Sequence, residues 1–235
     1  MKYFALFFIL FFAASHSQVL LRYPEGQEPY KGGRIALNKE LQEILQKNTP
    51  NGCEKDEALA LKVMVDEDAK IKLVYEQDSA ATSNNKCAYD LAKNALKYTS
   101  GWQPATVNNE KVKAIAHLLF APNDLLKGDL VVTDEETKNA EFPGGITKYR
   151  EKFMSCFDSR SYRYSGDLRF FINFEINTVG AVQNIFIDSD FGNPGFVDMV
   201  TSCVQGPKKI KWKPAEYKGI PVVTQFKLPV SIRSN

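Results

Sequence analysis

Residues Leu168–Asp190, LRFFINFEINTVGAVQNIFIDSD, and Gly195–Trp212, GFVDMVTSCVQGPKKIKW, carry the pattern from which the fold follows. Leu168, Phe170, Ile172, Phe174 and Ile176 alternate with Arg169, Phe171, Asn173, Glu175 and Asn177. A period of two describes a strand with one buried face. Thr178–Ala181 breaks the alternation, and Gly180 supplies the left-handed φ that a tight reversal needs. Val182–Ile187 returns as a second strand. Past Phe191-Gly192-Asn193-Pro194-Gly195 the period becomes helical, with Phe196, Met199, Val200 and Cys203 on one face. Gly206-Pro207 stops the helix, and Trp212-Lys213-Pro214-Ala215 leads into a last strand, Val222–Ile232. Hairpin, helix and strand together let one helix cover one face of a three-stranded sheet and close a small core.

The same unit occurs twice. Tyr30-Lys31-Gly32-Gly33 corresponds to Phe142-Pro143-Gly144-Gly145, and Gly33 to Ala69 spans 36 residues, as does Gly144 to Gly180. Trp102-Gln103-Pro104-Ala105 then falls on Trp212-Lys213-Pro214-Ala215. Leu59, Leu61, Val63 and Val65 match Phe170, Ile172, Phe174 and Ile176, an offset of 111. Repetition at one offset marks two copies of one structural unit. The expected fold is α+β: two tandem α-β-β-α-β units, each a three-stranded antiparallel sheet packed by helices. The first-copy helices are read near Ile35–Lys47 and Cys87–Tyr98, the second-copy helices near Ile146–Phe157 and Gly195–Gln205. The corresponding division is 18–122 for the first unit, 123–141 for a linker and 142–235 for the second; within the linker the polar, acidic Thr133–Glu141 reads as a connection or an exposed turn of helix. Leu125–Thr133 fits no element cleanly and reads as an extra strand at the edge of the first unit.

The first residues point to export. Met1-Lys2 is a short positive start, and Tyr3–Ala14 is an almost wholly apolar run of roughly twelve residues, where a membrane span needs about twenty. Small residues at Ser15 and Ser17 predict a signal peptide over 1–17, cleaved after Ser17, with a periplasmic or secreted product. An uncleaved inner-membrane anchor is the competing reading. The four cysteines, Cys53, Cys87, Cys156 and Cys203, suit an oxidising compartment. Of three possible connectivities the repeat favours Cys53–Cys87 and Cys156–Cys203, one staple per unit.

The order Phe142-Pro143-Gly144-Gly145, hairpin, Trp212-Lys213-Pro214-Ala215, Lys218-Gly219-Ile220-Pro221-Val222 and Phe226-Lys227-Leu228-Pro229-Val230 resembles the TonB C-terminal domain, in the version common in Bacteroidetes-type bacteria. The resemblance covers Phe142–Ile232; the first copy joins it through the internal comparison. It implies a periplasmic domain that binds a short receptor peptide, the TonB box, by strand addition to its last strand, here Val222, Val223, Thr224, Gln225, Phe226, Lys227 and Leu228. The expected partner is therefore a segment of an outer-membrane receptor. The sequence departs from the family in having no long Pro-rich spacer between the apolar run and the first unit. It also has Tyr162-Arg163-Tyr164-Ser165 where the family often carries Tyr-Pro-x-x-Ala. An edge strand offers unpaired N–H and C=O groups that an extended peptide can complete. Pro221 and Pro229 place the last strand on an edge, and the same prolines also serve to blunt one. A proline at Gln225 removes a donor if that N–H faces outward.

Other chemistry has little support. Gly-x-Ser-x-Gly, His-Glu-x-x-His and phosphate-loop motifs are absent from the sequence, so an enzyme is not expected. Neither a cofactor, a metal nor a small-molecule substrate is expected. A net charge of +2 gives no field for nucleic acid. His16 is read as part of the signal, His117 as a structural residue of a strand, Asp188-Ser189-Asp190 as a solvated loop, and Lys208–Lys213 as an exposed basic turn. Trp102 and Trp212 are read as core anchors. The competing function is a structural repeat that uses the fold as a scaffold.

Overall fold

The computed structural model describes residues 19–74, 79–158, 167–191, 193–206 and 210–232. The proposed signal peptide, His16, Tyr162–Ser165 and Lys208-Lys209 lie outside them. The fold is α+β, as expected. In the first unit α1 (Gly33–Asn48) precedes β1 (Leu59–Val65) and β2 (Ile71–Val74). Helices α2 (Ser79–Asn84) and α3 (Lys86–Ala95) follow, then β3 (Ala105–Val107), β4 (Glu110–Val112), β5 (Ala114–Phe120) and α4 (Pro122–Lys127). The second unit is approached by β6 (Thr137–Lys138) and comprises α5 (Gly145–Cys156), β7 (Leu168–Ile176), β8 (Val182–Asp188), α6 (Pro194–Gln205), β9 (Ala215–Tyr217), β10 (Ile220–Val222) and β11 (Thr224–Ile232).

The two main sheets are antiparallel and share one order, β2-β1-β5 and β8-β7-β11, with the first strand of each unit in the middle. That position suits sequences buried on one face throughout. Val63, Val65, Ile172 and Ile176 have no exposed surface. Burying a residue of this size removes about 1.5–3 kcal/mol of unfavourable hydration each. Both helix–sheet cores are closed by the same aromatic contact, Tyr30 edge-on to Trp102 at 5.2 Å and Phe142 to Trp212 at 5.3 Å. Both tryptophans are buried. The disulfides are Cys53–Cys87 and Cys156–Cys203, with sequence separations of 34 and 47. In the chain-entropy description each contributes about 4 kcal/mol.

Three expectations need correction. The last strand does not run unbroken from Val222: Tyr217 and Ile220 close a two-residue reversal, with Lys218 and Gly219 at φ 48° and 82°. That hairpin takes Val222 into β10 opposite Ala215, and Val223 separates it from β11. Asn108 and Asn109, at φ 50° and 66°, make the same turn in the first unit. Second, Leu125 is not on a strand. Pro122 opens α4 and Gly128, at φ 98°, closes it, the proline-first, glycine-after arrangement of a short helix. Leu125 is buried in the first core, and Asn38 donates to the Leu130 carbonyl at 2.7 Å. Third, residues 123–141 are more than a linker: Asp134–Glu136 form an exposed helical turn, and Thr137 and Lys138 pair with Tyr217 and Glu216 of β9.

Candidate functional site

The candidate edge is β11, and the hairpin fixes which of its groups face outward. The Asn177 N–H bonds to the Ala181 carbonyl at 2.9 Å, and Glu175 is in register with Gln183. Odd-numbered residues of β7 therefore turn their main chain to β8, and even-numbered ones to β11. Thr224, Phe226, Leu228 and Val230, opposite Ile176, Phe174, Ile172 and Phe170, are thus bound into the sheet. Gln225, Lys227, Pro229 and Ser231 turn their main chain outward. Pro229 fits this parity, because an outward nitrogen has no ladder bond to lose.

Of the seven residues read as a peptide-accepting strand, Gln225 and Lys227 are those within β11 whose N–H turns outward. Val222 belongs to β10, Val223 is buried, and Thr224 is in the ladder. Phe226 stacks on Phe174 at 5.3 Å and packs on Trp212, and Leu228 is buried in the core. Lys227 is exposed, with its ammonium 4.1 Å above the ring of Phe171. Among the described residues no strand lies beyond β11.

The start of β11 borders a cleft of about 260 Å³ between the units, lined by Val223, Thr224 and Gln225 on one side and by Arg34, Leu118 and Leu119 on the other. At its floor is a polar cluster that the sequence reading missed. Glu175, buried, accepts from Lys62 Nζ at 2.7 Å, Asn184 Nδ2 at 2.7 Å and Gln183 Nε2 at 3.4 Å. A carboxylate held out of water requires such a set of donors. Gln225 places its amide nitrogen on His117 Nδ1, and His117 Nε2 lies 2.9 Å from the Leu21 carbonyl. The same Gln225 nitrogen lies 2.8 Å from Nε2, so the amide sits against both ring nitrogens of His117. Burial lowers the His117 pKa; the Leu21 carbonyl and Glu175 oppose that, while Lys62 and Arg22 reinforce it. Charged residues at outward-facing strand positions, Lys62 and Glu175, were the available signal, but no local pattern pairs residues 113 positions apart.

The edge of the first unit corresponding to β11 is β5, and it is occupied. Leu20 forms a parallel bridge with Ala114: its N–H donates to the Lys113 carbonyl at 2.8 Å, and its carbonyl accepts from the Ile115 N–H at 2.9 Å. With the offset of 110 that relates β5 to β11, the same two groups in the second unit are the Val223 carbonyl and the Gln225 N–H, beside the cleft.

Elsewhere the groups are structural. Cys53, Glu57 and Cys87 approach one another, but both sulfurs are in the disulfide, and Glu57 accepts the Ala88 N–H of α3 at 2.9 Å. The Ser189 hydroxyl accepts the Phe191 N–H at 3.1 Å, making a local turn of the Asp188–Asp190 segment. Among the described residues no helix is long and apolar enough to cross a membrane, and the two disulfides fit a chain that matures in an oxidising compartment. No protein-family model matches this chain, and neither the curated proteins nor the solved structures include a match.

Proposed function

We infer that this is an exported, non-enzymatic peptide-binding protein that takes an extended segment of an outer-membrane receptor, of TonB-box type, onto the outer edge of β11. One observation carries the reading: among the described residues no strand covers β11, whose first outward groups border a cleft, while the equivalent groups of the sister unit already hold the main chain of Leu20 in a parallel bridge. Main-chain pairing would supply most of the affinity, and the cleft would receive the first side chains of the peptide. Export rests on the apolar run before residue 18 and on the paired cysteines. The scaffold reading is supported by Pro229, which removes one outward donor from the same edge.

The test is amide exchange with a synthetic TonB-box-like peptide. Slowing at Gln225 and Lys227, with Thr224 and Phe226 already slow in the free protein, is the expected result. Lys227→Pro removes an outward donor without touching the ladder to β7, and should weaken binding at least tenfold at little cost to the fold. Leu228→Pro, which breaks that ladder, should unfold the second unit. Exchange at Gln225 and Lys227 that ignores receptor peptides well above micromolar concentration would leave the scaffold reading.

A further inference from the structure

We propose that the outer edge of β5 is a second peptide-accepting site, held closed by the chain's own segment Val19–Arg22, and that its ligand class is an extended peptide of the pattern apolar–apolar–basic–aromatic. The inference rests in part on the reading of β11 as a peptide-accepting edge, since the two edges correspond.

Residues 19–22 are not built like an integral strand of the sheet. Only Leu20 makes main-chain bonds to β5, and no backbone bond carries the ladder on from Arg22 to Ile115 or His117 among the described residues. The outward main-chain groups further along β5 are therefore left for a longer ligand. Leu21 is exposed, and its carbonyl is taken by the His117 ring rather than by an amide. The pattern follows from what the next two residues meet. Arg22 is exposed, within electrostatic reach of Glu175, the buried carboxylate of the second unit. Tyr23 packs on the first core, and its hydroxyl donates to the Gln103 carbonyl at 2.7 Å. The segment is thus anchored at Tyr23, bends at Leu21 and Arg22, and meets the edge at Leu20, as a tethered ligand does. A tether gives it an effective concentration of the order of millimolar, so a free peptide of ordinary affinity reaches this edge only when the segment is loosened.

The probe is a synthetic peptide with the sequence of Val19–Pro24, added to the full chain carrying Leu20→Pro, which cannot donate to Lys113. Leu20→Gly is read in parallel, because it loosens the segment without imposing a proline. In the unmodified protein the Ile115 amide should exchange slowly and ignore the peptide. In the variants it should exchange at least tenfold faster, and millimolar peptide should slow it again while Gln225 and Lys227 stay unchanged. Ile115 amides that remain slow in both variants, or that the peptide does not slow, would overturn the proposal. Slowing at Gln225 and Lys227 in place of Ile115 would assign the peptide to β11, rejecting the second site while supporting the first.

Discussion

His117 stands between three parts of the chain: its ring touches Leu21 before the first unit, Gln225 in the second, and the field of the Lys62–Glu175 pair. Burial, the largest influence, holds its pKa below the ordinary 6.5, so the folded protein keeps the ring neutral. The unfolded chain takes up a proton near pH 6.5 while the folded one resists. Stability is then full above about pH 6.5 and falls as pH drops from there toward the lowered value. His117→Asn keeps a polar group at the site and cannot titrate. Its urea midpoint should change less between pH 7.5 and pH 5.5 than that of the unmodified protein. Equal losses in the two proteins would mean that other groups set the acid limb. Little of this was legible beforehand, since an outward histidine on a strand looks the same whether it meets water or another unit.

At the scale of elements, the hairpins show how two copies of one turn diverge. Gly180 has φ 77°, and a Cβ there would lie 2.0 Å from the Trp212 carbonyl oxygen, whose own residue donates its N–H to the Gly180 carbonyl at 2.9 Å. The corresponding Ala69 takes φ 63° and bears the strain of a side chain in that region. Gly180→Ala should therefore cost about 3 kcal/mol or more, whereas Ala69→Gly should gain about 0.5 kcal/mol. Chemical denaturation of the two variants measures both. An innocuous Gly180→Ala would mean that the Trp212 backbone can retreat. The main strands, the helices over them and both disulfides could be read from the sequence because each has a period, a stop signal or a partner within its unit. The small hairpins were harder. Asn108-Asn109 and Lys218-Gly219 are turn signals, but strands of three residues show too few alternations to declare a period. Pro122 and Gly128 likewise marked α4, in a stretch too short for helical spacing to appear.

For the molecule as a whole, the junction between the units is built from buried polar contacts and a small apolar cluster. The Tyr217 hydroxyl donates to Asp124 at 2.9 Å, and Ala58, Ala121 and Tyr217 are buried together. Burial, then the bond to Asp124, pushes the Tyr217 pKa up to about 12. Burial pulls the Lys218 ammonium down, but Glu136 at 3.0 Å and Asp124 at 3.2 Å outweigh it and hold it above its ordinary range. None of these pairings lies within one unit's pattern, so sequence periodicity had no means of showing them. The Lys62–Glu175 pair spans the same junction. Lys62→Met leaves the carboxylate buried with amide donors alone and should cost about 3 kcal/mol, much of it recovered by adding Glu175→Met. Additive losses in that double mutant would show that the two side chains do not depend on one another.

Two copies of one sheet in one chain create a hazard during folding: β11 could settle on β1, or β5 on β7, before the correct partner arrives, a recognised failure of repeated units. The core gives a reason why the exchange should not last. Beneath β5, Ala116 is opposite Val63, and both are fully enclosed. At the matching place in the second sheet, Phe226 lies parallel to Phe174, with 9° between the ring planes. A crossed-over chain would press a phenyl ring into a space shaped for a methyl group, and leave a void beneath Phe174 where Ala116 replaced a ring. Overcrowding on one side and emptiness on the other each cost a few kcal/mol. Unequal side-chain volume thus lets each strand recognise its own sheet, although the backbone hydrogen bonds offered by the two are alike.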